Sequence, residues 1–100
     1  MDHDEVHIEV PCDPALAGLV TSAALIAARP VGPDRSTEAE LANLIDVGWT
    51  RLTSDDAGST VQIRLGLGDP LHVEARRSDG RGPAFLIRVA AESTRLYDQI

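Results

Sequence analysis

TEAELANLIDVGWTRL, Thr37 to Leu52, decides how the rest of the chain is read. Leu41, Leu44, Ile45, Gly48, Trp49 and Leu52 recur at the i, i+3, i+4, i+7 spacing that lays one apolar stripe along an amphipathic helix. That stripe is expected to be the centre of the core, with Trp49 at its edge. Thr37 followed three residues later by Glu40 has the form of a capping box, which places the helix start at Thr37. Gly48 lies on the stripe, where glycine costs about 1 kcal/mol of helix propensity relative to alanine. Its presence implies a close approach, expected from the alanines of a preceding helix.

Upstream, Val6, Ile8 and Val10 alternate with His7 and Glu9, the period of a strand with one buried face and with His7 pointing away from the helices. Met1 to Glu5 is polar and is expected to be a flexible end, with 6–100 forming one domain. Asp13-Pro14 places a helix cap before a first-turn proline, and Leu16, Leu19, Val20, Ala23, Ala24 and Ala27 form the stripe of that helix until Pro30 stops it.

Downstream, Ser54 to Ser59 reads as a turn. Val61, Ile63, Leu65 and Leu67 then alternate with polar partners, Gly68-Asp69-Pro70 reverses the chain, and Leu71, Val73 and Ala75 alternate with His72, Glu74 and Arg76. The two runs predict a hairpin whose outward set, together with His7 and Glu9, is polar. Pro83 followed by Phe85, Leu86, Val89 and Ala90 predicts a short last helix, and the run from Ser93 a final strand. The sum is an α/β two-layer sandwich, a mostly antiparallel sheet with helices packed on one face.

The 100 residues suffice for one modest core. Sixteen acidic against nine basic residues give a net charge of −7, which opposes binding to nucleic acid, and three aromatic residues cannot supply a base-stacking surface. The single cysteine, Cys12, has no internal disulfide partner and reads as a small packing residue. No apolar run is expected to reach the roughly 18 residues of a spanning helix, so the expected setting is cytoplasmic, without membrane contact. His3, His7 and His72 show no metal-ligand spacing. Arg76, Arg77, Arg81 and Arg88 form the one basic cluster, read as a solvated face.

The element order, the central helix and the hairpin VQIRLGLGDPLHVEARRSDG resemble the anti-sigma-factor serine kinases, a branch of the GHKL, or histidine-kinase-like, ATPase superfamily. The resemblance implies a truncated form of that ATPase scaffold. In the family the central helix carries a Glu-x-x-x-Asn pair for base and magnesium chemistry. Ungapped alignment puts Val47 and Arg51 at those positions, and a one-residue slip offers Asp46 and Thr50. The family's Asp-x-Gly-x-Gly nucleotide turn corresponds to Asp79, Gly80 and Gly82, with the glycines at altered offsets. Ser78 to Gly82 is too short to form the family's lid over ATP and magnesium.

What the resemblance implies is therefore a regulatory domain without kinase activity and without a cofactor, acting on a sigma factor or its antagonist in transcription or stress control. An ATP-dependent serine-protein kinase and an unrelated α/β dimerisation module are the alternatives. Val6 to Val10, with Glu9 its one internal charge, lacks the usual protection of a sheet edge, and a homodimer that buries this strand or the polar sheet face is expected.

Overall fold

The computed structural model describes residues 4–54, 59–68, 70–90 and the backbone of 94–97. Met1 to His3, most of the turn expected over Ser54 to Ser59, Asp69 of the hairpin reversal, and Ser93 and the last three residues lie outside the described residues.

The chain runs β1 (Glu5–Pro11), α1 (Ala17–Ala28), α2 (Arg35–Leu52), β2 (Thr60–Gly66), β3 (Leu71–Arg77), β4 (Phe85–Val89) and β5 (Thr94–Tyr97). The strands form one antiparallel sheet in the order β1-β2-β3-β4-β5. The two-layer α/β sandwich expected from the sequence is present. Asp4 and Glu5, expected to belong to a flexible end, are held in place: Asp4 accepts the Leu67 N–H at 2.9 Å and Glu5 opens β1.

Asp13 caps a short 3-10 turn, Pro14–Leu16, by accepting the Ala15 N–H at 2.9 Å, and this turn leads into α1. A second 3-10 turn, Arg29–Val31, follows α1 and contains Pro30. It ends at Gly32, whose φ of 73° is a left-handed conformation that favours glycine. By length and composition alone Pro14–Val31 could cross a bilayer, contrary to the expectation that no run would. Only Val20, Ala24, Ala28 and Val31 of this stretch are fully buried, and Leu19 and Ile26 face outward at 59 % and 60 % exposure.

Helix α2 begins two residues earlier than the capping box implies. Asp34 is the cap, and its carboxylate accepts the Thr37 N–H at 2.8 Å. Thr37 itself is buried inside the first turn. That hydrogen bond holds the Asp34 carboxyl below the usual aspartate range.

Trp49 is not at the edge of the stripe. It is 0 % exposed, with Leu41, Ile45 and Leu52 beside it in the core. Its indole N–H donates to the Asp13 carbonyl at 2.9 Å, tying α2 to the entrance of α1.

The sheet contributes Val61, Ile63, Leu65, Leu71, Val73, Ala75, Phe85, Ile87 and Val89 to the same core. The last three correct the expectation of a helix after Pro83, where the structure has β4. Phe85, Leu86, Val89 and Ala90 fit helical spacing, but Phe85, Ile87 and Val89 fit a period of two equally well. Pairing with β3, at Ala75↔Phe85 and Leu71↔Val89, decides between them. Strand β5 then agrees with the expected final strand.

Gly48 is approached closely, though not by α1. A Cβ at that position would stand 2.7 Å from Cδ2 of the Phe85 ring.

Candidate functional site

Alternation along β1 to β4 sends one set of side chains into the core and leaves the other on an open sheet face. Register arranges that second set in rows: Glu9, Gln62 and Arg76; then His7, Arg64, Glu74 and Leu86; then Glu5, Gly66, His72 and Arg88. His7, Glu9, Gln62, Arg64, His72, Glu74 and Arg76, which alternation alone assigns to the outward face, are all on it.

Glu74 organises the centre of this face. One of its oxygens accepts from Arg64 at 2.6 Å and the other from Arg76 at 3.0 Å. Sequence reading places these three residues on one face and misses the shared carboxylate. The available signal is the hairpin length: a turn centred between Gly68 and Pro70 sets Arg64 opposite Glu74.

At the outer edge His7 Nε2 lies 3.1 Å from Glu5. At the far end of β1, Glu9 takes the hydroxyl protons of Thr60 and Ser78. The shallow groove across the middle, about 410 Å³, is lined by His7, Glu9, Gln62, Arg64, Glu74 and Arg76. Arginines and glutamates interleave here, so the face suits a partner with mixed charge more than a polyanion.

The residues singled out by the family resemblance lie elsewhere. Asp79, Gly80 and Gly82 form the connection from β3 to β4, and the aspartate is committed within it. One oxygen accepts the Arg81 N–H at 2.9 Å, and the other accepts from Arg77 and Ser59, each at 3.3 Å. The Arg81 N–H, supported by Arg77 and Ser59, holds this carboxyl below the usual aspartate range. Gly80 and Gly82 have φ of 75° and 78°, which the tight turn requires. This geometry is that of an aspartate-stabilised turn.

Asp46, Val47, Thr50 and Arg51 are exposed on α2. Val47 and Arg51 border a cleft of about 10 Å³ closed by Pro83, Ala84 and Phe85. The helix and the turn are not joined there into a carboxylate–amide–glycine constellation. The arginine cluster is also divided: Arg76 and Arg88 stand on the open face, whereas Arg77 is half-buried at the β3 end, with its guanidinium 3.3 Å from where a Gly82 Cβ would be. Cys12 packs against the core margin. Among the described residues no group of three or more His, Cys, Asp or Glu could hold a metal ion.

No family model, curated protein or solved structure matches this chain.

Proposed function

We propose that this chain is a regulatory protein-binding domain of the anti-sigma type, acting in the cytoplasm on a sigma factor or its antagonist, with the kinase chemistry of that family lost. The observation that carries the reading is the filling of the space beside α2. The ring of Phe85 is seated on Gly48, and what remains next to Val47 and Arg51 is about 10 Å³. That is room for about one water, far below what a nucleotide needs. Neither a valine nor an arginine can place a nucleophile's proton or hold magnesium.

Without that chemistry, regulation has to act through binding alone, and the open mixed-charge face is a surface that a protein partner could read. A second reading, an unrelated α/β dimerisation module, is favoured by the unbroken order β1-β2-β3-β4-β5, in which β4 stands where the resembled family has its last helix.

Calorimetric titration with ATP, ADP and magnesium is expected to give no binding at millimolar nucleotide. A micromolar dissociation constant would restore the kinase reading. Pairwise co-purification with the sigma factors and antagonists encoded in the source genome is expected to yield one stable complex. If every pair fails while the protein self-associates, the dimerisation module is the better account.

A further inference from the structure

Toward the hairpin end of the open face the register sets His72 of β3 opposite Arg88 of β4, and Arg88 opposite Arg95 of β5. Like charges at directly opposed positions weaken a sheet. The carboxylates of the described face offset none of this, because each is engaged elsewhere. Glu74 serves Arg64 and Arg76, Glu5 lies against His7, and Glu9 accepts from Thr60 and Ser78. Arg88 is exposed and makes no ion pair among the described residues. The row is thus a basic strip in a chain of net charge −7.

Apolar surface lies directly beside it. A groove of about 580 Å³ borders the row, with Leu67, Pro70, His72 and Leu86 in its wall. Leu86 is half-buried and stands two residues before Arg88 on the same face of β4, about 7 Å along the strand. An extended peptide has the same repeat. An acidic residue and an apolar residue two positions apart in such a peptide therefore reach Arg88 and Leu86 together.

From this juxtaposition we infer that the open face binds an extended acidic segment of a partner protein, its carboxylate at the row of His72, Arg88 and Arg95 and its apolar side chain on Leu86. The inference rests on the reading of the chain as a protein-binding domain and names what the partner must carry. Charge complementarity selects this occupant. A guanidinium offers a carboxylate two parallel N–H donors, and binding supplies the counter-charge that the sheet lacks at this row. A long polyanion meets the net charge of −7 and the Glu5 and Glu74 side of the groove. A free phosphate would use the basic row and leave Leu86 bare.

The test is an NMR titration of the whole isotope-labelled protein with the blocked peptide Gly-Ser-Glu-Ser-Leu-Ser-Gly. Saturable shifts of the His72, Leu86 and Arg88 amides are expected, with a dissociation constant of about 1 mM, and replacing the glutamate by glutamine or the leucine by serine should weaken binding about fivefold or more. Arg88→Glu is expected to abolish the shifts and to raise the melting temperature by about 1–6 °C, because it sets an acidic residue opposite Arg95. A merely structural arginine would not give loss of binding together with a gain in stability. Should Arg88→Glu fail to fold, Arg88→Gln decides, with a loss of about fivefold or more.

No shift at about 5 mM peptide, equal binding of the glutamine peptide, or binding indifferent to Arg88 would overturn the proposal. Inorganic phosphate or oligothymidylate producing the same shifts at lower concentration would overturn it in favour of a phosphate ligand. A complex with a sigma factor or antagonist that survives Arg88→Glu removes this site and keeps the regulatory reading. Peptide binding without any such complex keeps the site and removes the anti-sigma identity.

Discussion

The ring of Phe85 lies against the backbone of Gly48, so close that a methyl group on that residue would stand 2.7 Å from Cδ2 and 3.0 Å from Cε2. One contact thus fixes how deeply α2 settles on β4, and it accounts for a glycine in the middle of an 18-residue helix. Gly48→Ala sets two effects against each other: a gain of about 1 kcal/mol in helix propensity and an overpacking cost of about 1–3 kcal/mol. The Phe85 ring is buried and has little room to swing clear, so the expected balance is a loss of stability of up to about 2 kcal/mol. Urea unfolding of Gly48→Ala, Phe85→Leu and the double variant is the measurement. The double variant should be more stable than the sum of the single losses allows.

Trp49→Phe removes the N–H that reaches the Asp13 carbonyl and leaves space where the indole was. A loss of roughly 2–3 kcal/mol is expected, read as a lower urea midpoint with an unchanged slope. Because Trp49 is the sole tryptophan, unfolding of the unmutated protein should move its emission sharply to the red.

Acid stability follows from the two aspartates whose carboxyls are held below their ordinary range, Asp34 by the Thr37 N–H and Asp79 by the Arg81 N–H. A carboxyl with a depressed folded-state pKa stabilises the fold above its unfolded pKa, about pH 4, and that contribution is lost as pH falls through the lower folded value. Thermal melts should therefore be insensitive to these groups from pH 5 to 7 and fall progressively below pH 4. Asp34→Asn keeps a capping acceptor without the charge, so its melting temperature should fall less steeply over that acid range. A slope equal to that of the unmutated protein would exclude the cap as a source of acid sensitivity.

Leu19→Lys and Ile26→Lys alter side chains that already face solvent, and in thermal melts each should leave the melting temperature within a few degrees of the parent's. A fall of about ten degrees or more in either variant would show that the side chain is packed and not exposed.

The parts of the fold legible in the sequence are those where periodicity and turn chemistry agree. The hairpin from Thr60 to Arg77, the cap at Asp13 and the polar set on the open face are all written in local residue patterns. What local patterns leave undetermined depends on contacts distant in sequence. Phe85 to Val89 satisfies two periods, and only the edge of β3 selects the strand. Thr37 has the right chemistry for a cap, yet Asp34 takes that role three residues earlier, because its carboxylate, after Pro33 in extended backbone, reaches the N–H of Thr37 itself. The neighbour of Gly48 is expected among the alanines of α1, since small residues often face each other. The sheet supplies a ring there instead. For the candidate site, alternation identifies the residues of the open face but not the central position of Glu74, which exists only once the register is set.

The ladder between β1 and β2 joins residues from opposite ends of the helical segment, Ile8 with Ile63 among them, whereas β2 to β5 are each linked to the next by a short connection. Closing the first pairing costs the entropy of a loop of about 50 residues, and the others close locally. The meander should therefore assemble before β1 docks. During synthesis Val6, Ile8 and Val10 leave the ribosome before both helices and β2, and wait unpaired while these are made. A strand that must wait so long for its own partner is the segment most open to capture by the same segment of a neighbouring nascent chain.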